Sequence, residues 1–429
     1  MPGYIEDRWM RKKPDPVTGE KRKKTYGVGL RYRVCGIPGV KDASFKTLAD
    51  AKAWLNNAAT DAGRGVFIDP RAGSITLQDY VEQHWWPSTR YPPSTREAME
   101  NRIWGHILPR IGAVPLNQIT TDTVNAWSAA SEEDIDPNTV RVCWRHLSSI
   151  LQAAKEAKRI AVNPCRGHQT AKPPVRPKGK ARRWDQERVV AVRQALPDRY
   201  RVLVDLGVGA GLRQGEALGF SPADLEGGEI NVQRQVMRIR SRLCFGPPKG
   251  NKERTVKVPP ALAESIAAHA ARFETVEVTL PWVDPDRPRL RWEDRPTVTV
   301  PLLVTTSRKL AVNRSDWNTL AWKPSLGAAR VIDPLFDPEG LLDVEELRKR
   351  GGSKTGPARW PEAREHGFHV LRHTFASVQL QAGESIVTLA AWLGHSDPAF
   401  TLRTYTHFMP EAGARGVAAM DRWLRGDAS

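Results

Sequence analysis

Residues 171–183, AKPPVRPKGKARR, constrain the architecture before any other feature. This stretch holds three prolines and six Lys/Arg with no acidic residue. Proline has no amide hydrogen to give a helix or a ladder, and a run of like charges repels itself, so the segment reads as a semi-extended linker. Its charge suits a chain lying across a phosphate backbone, and a plain solvated linker is an equal reading. On either side lies enough chain, within 429 residues, for separate domains with their own cores.

The charge balance narrows the class of partner. With 65 Lys+Arg against 48 Asp+Glu the net charge is +17, which points to a polyanion, nucleic acid before anionic membrane. No apolar run approaches the roughly 18–20 residues of a membrane span. The opening MPGYIEDRWMRKKPD lacks the apolar stretch of a secretory signal. The four cysteines, at 35, 143, 165 and 244, are too sparse for a disulfide scaffold and fit a reducing, cytoplasmic compartment.

The first half divides in two. Residues 8–33 contain ten Lys/Arg against Asp15 and Glu20. TYGVGLRYRV alternates as a strand does, a turn follows at Gly36-Ile37-Pro38-Gly39, and KDASFKT offers a second short strand. Thr47 then opens a helix, with Asp50 three residues on and Leu48, Ala51, Trp54, Leu55 and Ala58 at helical spacing. A small basic sheet with one helix, residues 1–70, is a plausible DNA-binding module. Residues 74–170 read as helices: Ile75–Trp86, one opened by Ser94 and Glu97 as a capping box, one capped by Asp122 and running through Trp127, and one capped by Asn138. The last carries the apolar stripe Val140, Cys143, Trp144, Leu147, Ile150, Leu151 and Ala154.

Residues 184–429 form the largest unit, mainly helical, with a hairpin within GGEINVQRQVMRIRSRLCFGPPKGNKERTVKVP. Two stretches look inserted: the Pro-rich RFETVEVTLPWVDPDRPRLRWEDRP, and the polar DPLFDPEGLLDVEELRKRGGSKTGPARWPEAREHG. The chain lacks a G-x-x-x-x-G-K-[ST] loop, an H-E-x-x-H helix and a G-x-S-x-G elbow. Cys143-x-x-His146 and Cys165-x-x-His168 fit zinc-finger spacing poorly, and Cys143 falls within an apolar stripe, so no metal site is expected.

What the second half does carry is a dispersed set of phosphate-handling residues. GVGAGLRQGEALGF places Arg213 after a glycine turn with Glu216 three residues on. GFHVLRHTFAS places His369 and Arg372 on one helical face, and AAWLGHSDPAFTLRTYTHF gives His395, a Ser-Asp-Pro helix start, then Tyr405. Singly, each has a structural explanation; their conjunction in this order does not. GLRQGEALG, HVLRHTFAS, LGHS and TYTH together closely resemble the motifs of the tyrosine recombinase family, phage-type integrases in particular, and PPKGNKERTVKVP resembles the family's lysine-bearing β-turn, with Lys249 at the matching position.

The resemblance spans the chain and implies a multidomain, mainly α fold with small β-sheets. It implies an arm-site DNA-binding domain over 1–70, a helical core-binding domain over 74–170, the linker 171–183, and a mixed α+β catalytic domain over 184–429 with a C-terminal tail. The implied activity is site-specific DNA recombination through a 3′-phosphotyrosine, integrating or excising a mobile element. Tyr405 is then the nucleophile, Arg213 and Arg372 clamp the phosphate, His369 and His395 add hydrogen bonds, and Lys249 protonates the leaving 5′-oxygen. Lys252 is a rival to Lys249, and Lys354 a weaker one. Glu216 orients the first arginine or a histidine. No cofactor is implied. The implied partners are double-stranded attachment-site DNA, three further copies of the chain on synapsed DNA, a host DNA-bending protein and a directionality factor, with the enzyme at the bacterial nucleoid. In the tail, Val417, Met420, Trp423 and Leu424 share one helical face, suited equally to a neighbouring protomer and to their own domain. The competing functions are a type IB topoisomerase and an inactive DNA-binding regulator on the same fold.

Overall fold

In a computed structural model the chain divides into two compact units, Met1–Thr89 with Ala98–Pro177, and Arg90–Glu97 with Lys178–Ser429. The structure describes residues 3–16, 18–38, 40–63, 67–69, 71–166, 172–175, 182–333, 360, 364–408 and 414–425. About half of the linker 171–183, most of the polar stretch 333–367 including Lys354, and His168 lie outside them.

In the first unit, β1 (Tyr4–Asp7), β2 (Tyr32–Cys35) and β3 (Ala43–Phe45) form an antiparallel sheet in that order. Strand β1 is not evident from sequence, because YIED is too short to show a period; its pairing with β2, Ile5 opposite Val34, defines it. The helix Leu48–Gly63 covers the sheet, with Ala51 and Ala58 buried beside Val34 and Ile37. Thr47 caps it as expected, its Oγ1 accepting from the Asp50 amide at 3.2 Å. Leu48 is exposed instead of joining that core.

The helices over 74–166 follow the apolar stripes, but three helix starts differ from expectation. The segment at Ser94 begins one residue earlier, at Pro93, because proline's missing amide hydrogen costs nothing at a first helical position. Thr120, not Asp122, caps Thr121–Asp134, its hydroxyl accepting from the Thr123 amide. Asp136, not Asn138, caps Pro137–Glu156: its carboxylate accepts from the amides of Asn138 at 3.0 Å and Thr139 at 3.4 Å, and Pro137 follows it. Asn138 lies inside the first turn. On that helix Val140, Cys143, Leu147, Ile150, Leu151 and Ala154 are buried, as the stripe requires, while Trp144 is only half-buried. Asp136→Ala should therefore lower stability by about 1 kcal/mol in urea denaturation, whereas Asn138→Ala should change it by only a few tenths. Equal losses would contradict this cap assignment.

The second unit is built on a core running from Trp184 to Phe408. Trp184 stacks on Trp322 with ring centroids 5.9 Å apart, and its amide donates to the Thr374 hydroxyl at 3.0 Å. The strands are β4 (Leu225–Glu226), β5 (Glu229–Val232), β6 (Gln235–Ile239), β7 (Arg242–Gly246) and β8 (Arg254–Lys257). They pair as β4-β5-β8 and β6-β7. The stretch 272–296, expected as an insertion, is flanked by a hairpin: β9 (Val276–Pro281) pairs antiparallel with β10 (Thr297–Leu302). Alternation hides in TVEVTLP and TVTVPL, where Val278 and Val300 face each other and are buried; only the charged middle is loop. The Val283 amide donates to the Phe245 carbonyl at 2.8 Å, tying this hairpin to β7. Among the described residues no helix is long and apolar enough to cross a membrane.

Candidate active site

Four separate segments of the second unit bring cationic and imidazole groups to one place. The first is GAGLRQGEAL. Gly211 turns the chain with φ +62°, and a Cβ there would stand 2.6 Å from the Phe375 ring, so this turn excludes a side chain. It aims the Gly211 carbonyl inward and delivers Arg213 to the start of the helix Gln214–Leu218. Glu216, at the third helical position, reaches back: its carboxylate accepts from the Arg213 amide at 2.9 Å and from Arg213 Nη1 at 2.9 Å.

Glu216 has a second partner. Arg254, on β8, grips the same carboxylate with Nη1 at 3.0 Å and Nη2 at 2.6 Å, and its Nε donates to the Trp392 carbonyl at 2.6 Å. The Glu216 side chain is fully buried between the two guanidinium groups. Burial alone would raise its carboxyl; the hydrogen bonds and charge of Arg254, joined by the charge of Arg213, outweigh that and hold it at about 2. Glu216 thus contacts Arg213, the arginine it was expected to orient, and Arg254, a partner not foreseen.

Arg372 lies on the helix His369–Gln381 and is 1% exposed. Its Nη1 donates to the Gly211 carbonyl at 2.7 Å and its Nη2 to the Leu393 carbonyl. Arg213 Nη2 donates to that same Leu393 carbonyl at 3.2 Å. Leu393 ends the helix Ile386–Leu393, whose last carbonyls carry the negative end of the helix dipole. Gly394 closes this end in the left-handed conformation, φ +60°. Burial first, then Arg213 and Arg254, pull Arg372 down to about 9, so it stays charged at neutral pH.

His395 follows directly. Its Nε2 faces Arg372 Nη2 at 3.4 Å and its Nδ1 faces the buried Thr401 hydroxyl at 2.7 Å. An arginine can only donate, so Nε2 is the accepting nitrogen and Nδ1 carries the proton. Burial, then the charges of Arg372, Arg213 and Arg254, lower its pKa to about 4, keeping it neutral. Asp397 caps the helix Pro398–Tyr405 through the Ala399 amide at 2.9 Å, which sets Tyr405 at that helix's end. Tyr405 is 1% exposed. Burial pushes its phenol up to about 12 despite the nearby charges of Arg372 and Arg213.

The phenol oxygen lies 2.7 Å from Nδ1 of His373. His373 packs edge-on against His369, ring centroids 4.6 Å apart, and burial and Arg372 lower its pKa to about 4. His369 is exposed at the start of its helix. Lys249 and Lys252 are both exposed in the turn between β7 and β8, with no hydrogen bond to the cluster. Among the described residues no group of three or more His, Cys, Asp or Glu could hold a metal ion. Sequence reasoning missed Arg254, His373, Thr401 and the carbonyls of Gly211, Trp392 and Leu393. For His373 a signal existed: it stands four residues after His369, on the same helical face.

No protein-family model matches the chain. Among characterised proteins it is 25% identical over 366 residues to the integrase of Mycobacterium phage L5, covering 82% of this chain and 83% of that one. It is also 25% identical over 393 residues to a tyrosine recombinase XerC-like protein of Caldanaerobacter subterraneus subsp. tengcongensis, covering 88% and 90%. Among solved structures its fold is similar to the Tn1549 transposon integrase in complex with a circular intermediate DNA, with a TM-score of 0.57, 15% identity, and 81% and 100% of the two chains covered. A lambda integrase tetramer bound to a Holliday junction matches at 0.50, with 14% identity over 90% and 95% of the chains. In sequence the chain is similar to integrases and tyrosine recombinases, and its fold is similar to theirs. These likenesses support an enzyme of site-specific recombination of the phage-integrase type.

Proposed function

We propose that the chain cuts and rejoins double-stranded DNA at short attachment sites by transesterification, with Tyr405 as nucleophile. The observation that carries this reading is that Arg213 and Arg372 share the Leu393 carbonyl, with His395 against Arg372 and Tyr405 against His373 on the Arg372 helix. The phenol oxygen attacks a backbone phosphorus, a 3′-phosphotyrosine forms and a 5′-hydroxyl leaves. One phosphoester replaces another, so resealing needs no nucleotide. Charge builds on the nonbridging oxygens in the transition state, where two guanidinium groups offer planar, forked donors. Fixed donors of this kind contribute roughly 3–4 kcal/mol each. His369 and His395 add hydrogen bonds, and Lys249, on its exposed turn with Lys252 beside it, protonates the departing 5′-oxygen. Glu216 and Arg254 position Arg213.

In this reading residues 1–70 bind arm sites, 74–170 bind the core site, 171–183 link the domains along the DNA and 184–429 carry the chemistry. In the first of these Arg22 stacks on Tyr26 at 4.5 Å and Arg31 on Tyr32 at 4.9 Å, a basic and aromatic surface suited to phosphates. Four protomers act on two paired duplexes, as the lambda integrase tetramer does on a Holliday junction. The helix Ala414–Arg425 leaves Val417, Met420, Trp423 and Leu424 between 54% and 73% exposed, and in this reading it docks on a neighbouring protomer. A host DNA-bending protein and a directionality factor complete the assembly at the nucleoid.

The test is to trap the full chain on attachment DNA nicked beside the cut, so that the released fragment diffuses away, and to map the modified peptide. One adduct, on Tyr405, is expected; no adduct under conditions where the DNA is bound would refute the reading. Affinity for the same DNA should fall by ~10³ or more between about 50 and 200 mM salt, given six or more phosphate contacts. A flat salt response would contradict phosphate-dominated binding.

A further inference from the structure

The mechanism above leaves one proton without a destination. Tyr405 must lose its phenolic hydrogen as its oxygen bonds to phosphorus, and the arginines beside it can only donate. We infer that His373 is the acceptor: its Nδ1, 2.7 Å from the phenol oxygen, receives that proton during DNA cleavage and returns it during rejoining. This rests on the reading of Tyr405 as the nucleophile.

The geometry carries the inference. At 2.7 Å the contact is a short hydrogen bond between an oxygen and a ring nitrogen. With the phenol as the donor in this contact, Nδ1 is the unprotonated nitrogen and Nε2 bears the imidazole hydrogen. The backbone fixes the ring in place: His373 lies in mid-helix, and its carbonyl accepts from the Ser377 hydroxyl at 2.7 Å. His369 packs edge-on against one side. Arg372 on the same helix, His395 ahead of the Tyr405 helix and Tyr405 itself are the titratable and charged groups around it.

The step balances. The Oη–phosphorus bond forms, the phosphorus–O5′ bond breaks, the phenolic proton passes to Nδ1, and the 5′-oxygen takes a proton from the general acid, Lys249 in the reading above. In the free enzyme burial and Arg372 hold His373 at about 4, so the ring is neutral and ready to accept over the whole physiological range. A bound phosphate brings negative charge beside Arg372 and offsets the repulsion that an imidazolium would otherwise meet. Rejoining reverses each transfer, so both half-reactions depend on the same nitrogen.

The test uses the full chain and nicked duplex carrying the cut sequence recovered by trapping. His373→Asn places an amide oxygen where Nδ1 stands and keeps a hydrogen-bond acceptor without a base; His373→Ala removes both. Single-turnover cleavage by either should fall by ~10²–10⁴ with DNA binding retained. The wild-type rate should be flat between about pH 6 and about pH 8.5, whereas each variant should gain about tenfold per pH unit, because the phenol must then ionise first. Cleavage by His373→Asn at the wild-type rate would reduce His373 to a positioning residue and overturn the inference. So would faster cleavage by His373→Ala, which would make the bond a restraint on the phenol, or a slower rate with an unchanged pH profile. Tyr405→Phe run on the same duplex separates the two levels. If it still forms an adduct, the nucleophile is misassigned; if it is inert while the His373 variants cleave normally, only the present inference falls.

Discussion

Tyr405→Phe is expected to form no covalent adduct and to recombine nothing, while binding attachment DNA as the parent chain does. The ring packs in the core beside Phe408 and is 1% exposed, so removing one oxygen leaves the packing intact. What disappears is the phenolic oxygen proposed to form the phosphoester. The Thr401 hydroxyl on the same helix is buried and engaged with His395. The measurement is a gel assay for protein–DNA adducts beside an electrophoretic binding curve. Recombination by this variant at the parent rate would remove the basis for the mechanism, and weakened binding alone would not.

The second large effect falls on stability. Glu216→Ala strips the shared counter-charge from two guanidinium groups held in a low-dielectric interior, one of them, Arg254, with a side chain only 5% exposed. Breaking a buried ion pair from one side costs roughly 3–5 kcal/mol, a large part of the stability of most domains. Glu216→Gln should lose less, since the amide oxygen still accepts one hydrogen bond. The same carboxyl makes the parent chain acid-sensitive. Its folded pKa of about 2 lies below the ordinary 4.5, so the unfolded chain binds the proton more readily between those values. The stabilisation, about 3 kcal/mol from this shift, is fully present above pH ~4.5 and lost as pH falls toward ~2. Urea denaturation across that range should show the loss in the parent and its absence in Glu216→Gln. Identical pH dependence in the two would show that this carboxyl does not control acid stability.

Much of this centre is legible in the sequence, and the reason is local. Arg213 and Glu216 stand three apart at a helix start, His369 and Arg372 three apart within a helix, and Asp397-Pro398 announces the helix that ends in Tyr405. Each relation lives within one turn of backbone, where spacing fixes geometry. What the sequence hides is what pairing and packing decide. Arg254 is one more basic residue after Lys249 and Lys252 until β8 pairs with β5 and carries it to Glu216. Main-chain carbonyls have no side-chain signature at all, so the anchoring of Arg372 on Gly211 and Leu393 could not be read from residue types. The caps at Thr120 and Asp136 each stand two residues before the expected Asp122 and Asn138 because several Asx and Thr side chains compete at each start, and only the folded amide geometry chooses between them. The β9–β10 hairpin was masked by the charged, proline-rich loop at its tip.

A single peptide plane sets the spacing of two cations here, because the oxygen of Leu393 receives both Arg213 and Arg372. Tilting that one plane detunes the pair together, so the centre behaves as a two-pronged fork on one pivot. Side chains at 392 and 393 can drift so long as they fill their hollows, but residue 394 has no such latitude. A methyl group there would meet strain of its own and would crowd Arg254, whose Cδ stands 3.0 Å from that position. The spacing of Arg213 and Arg372 is thus inherited through the carriage of one amide, and the glycine after it is the screw that holds the setting.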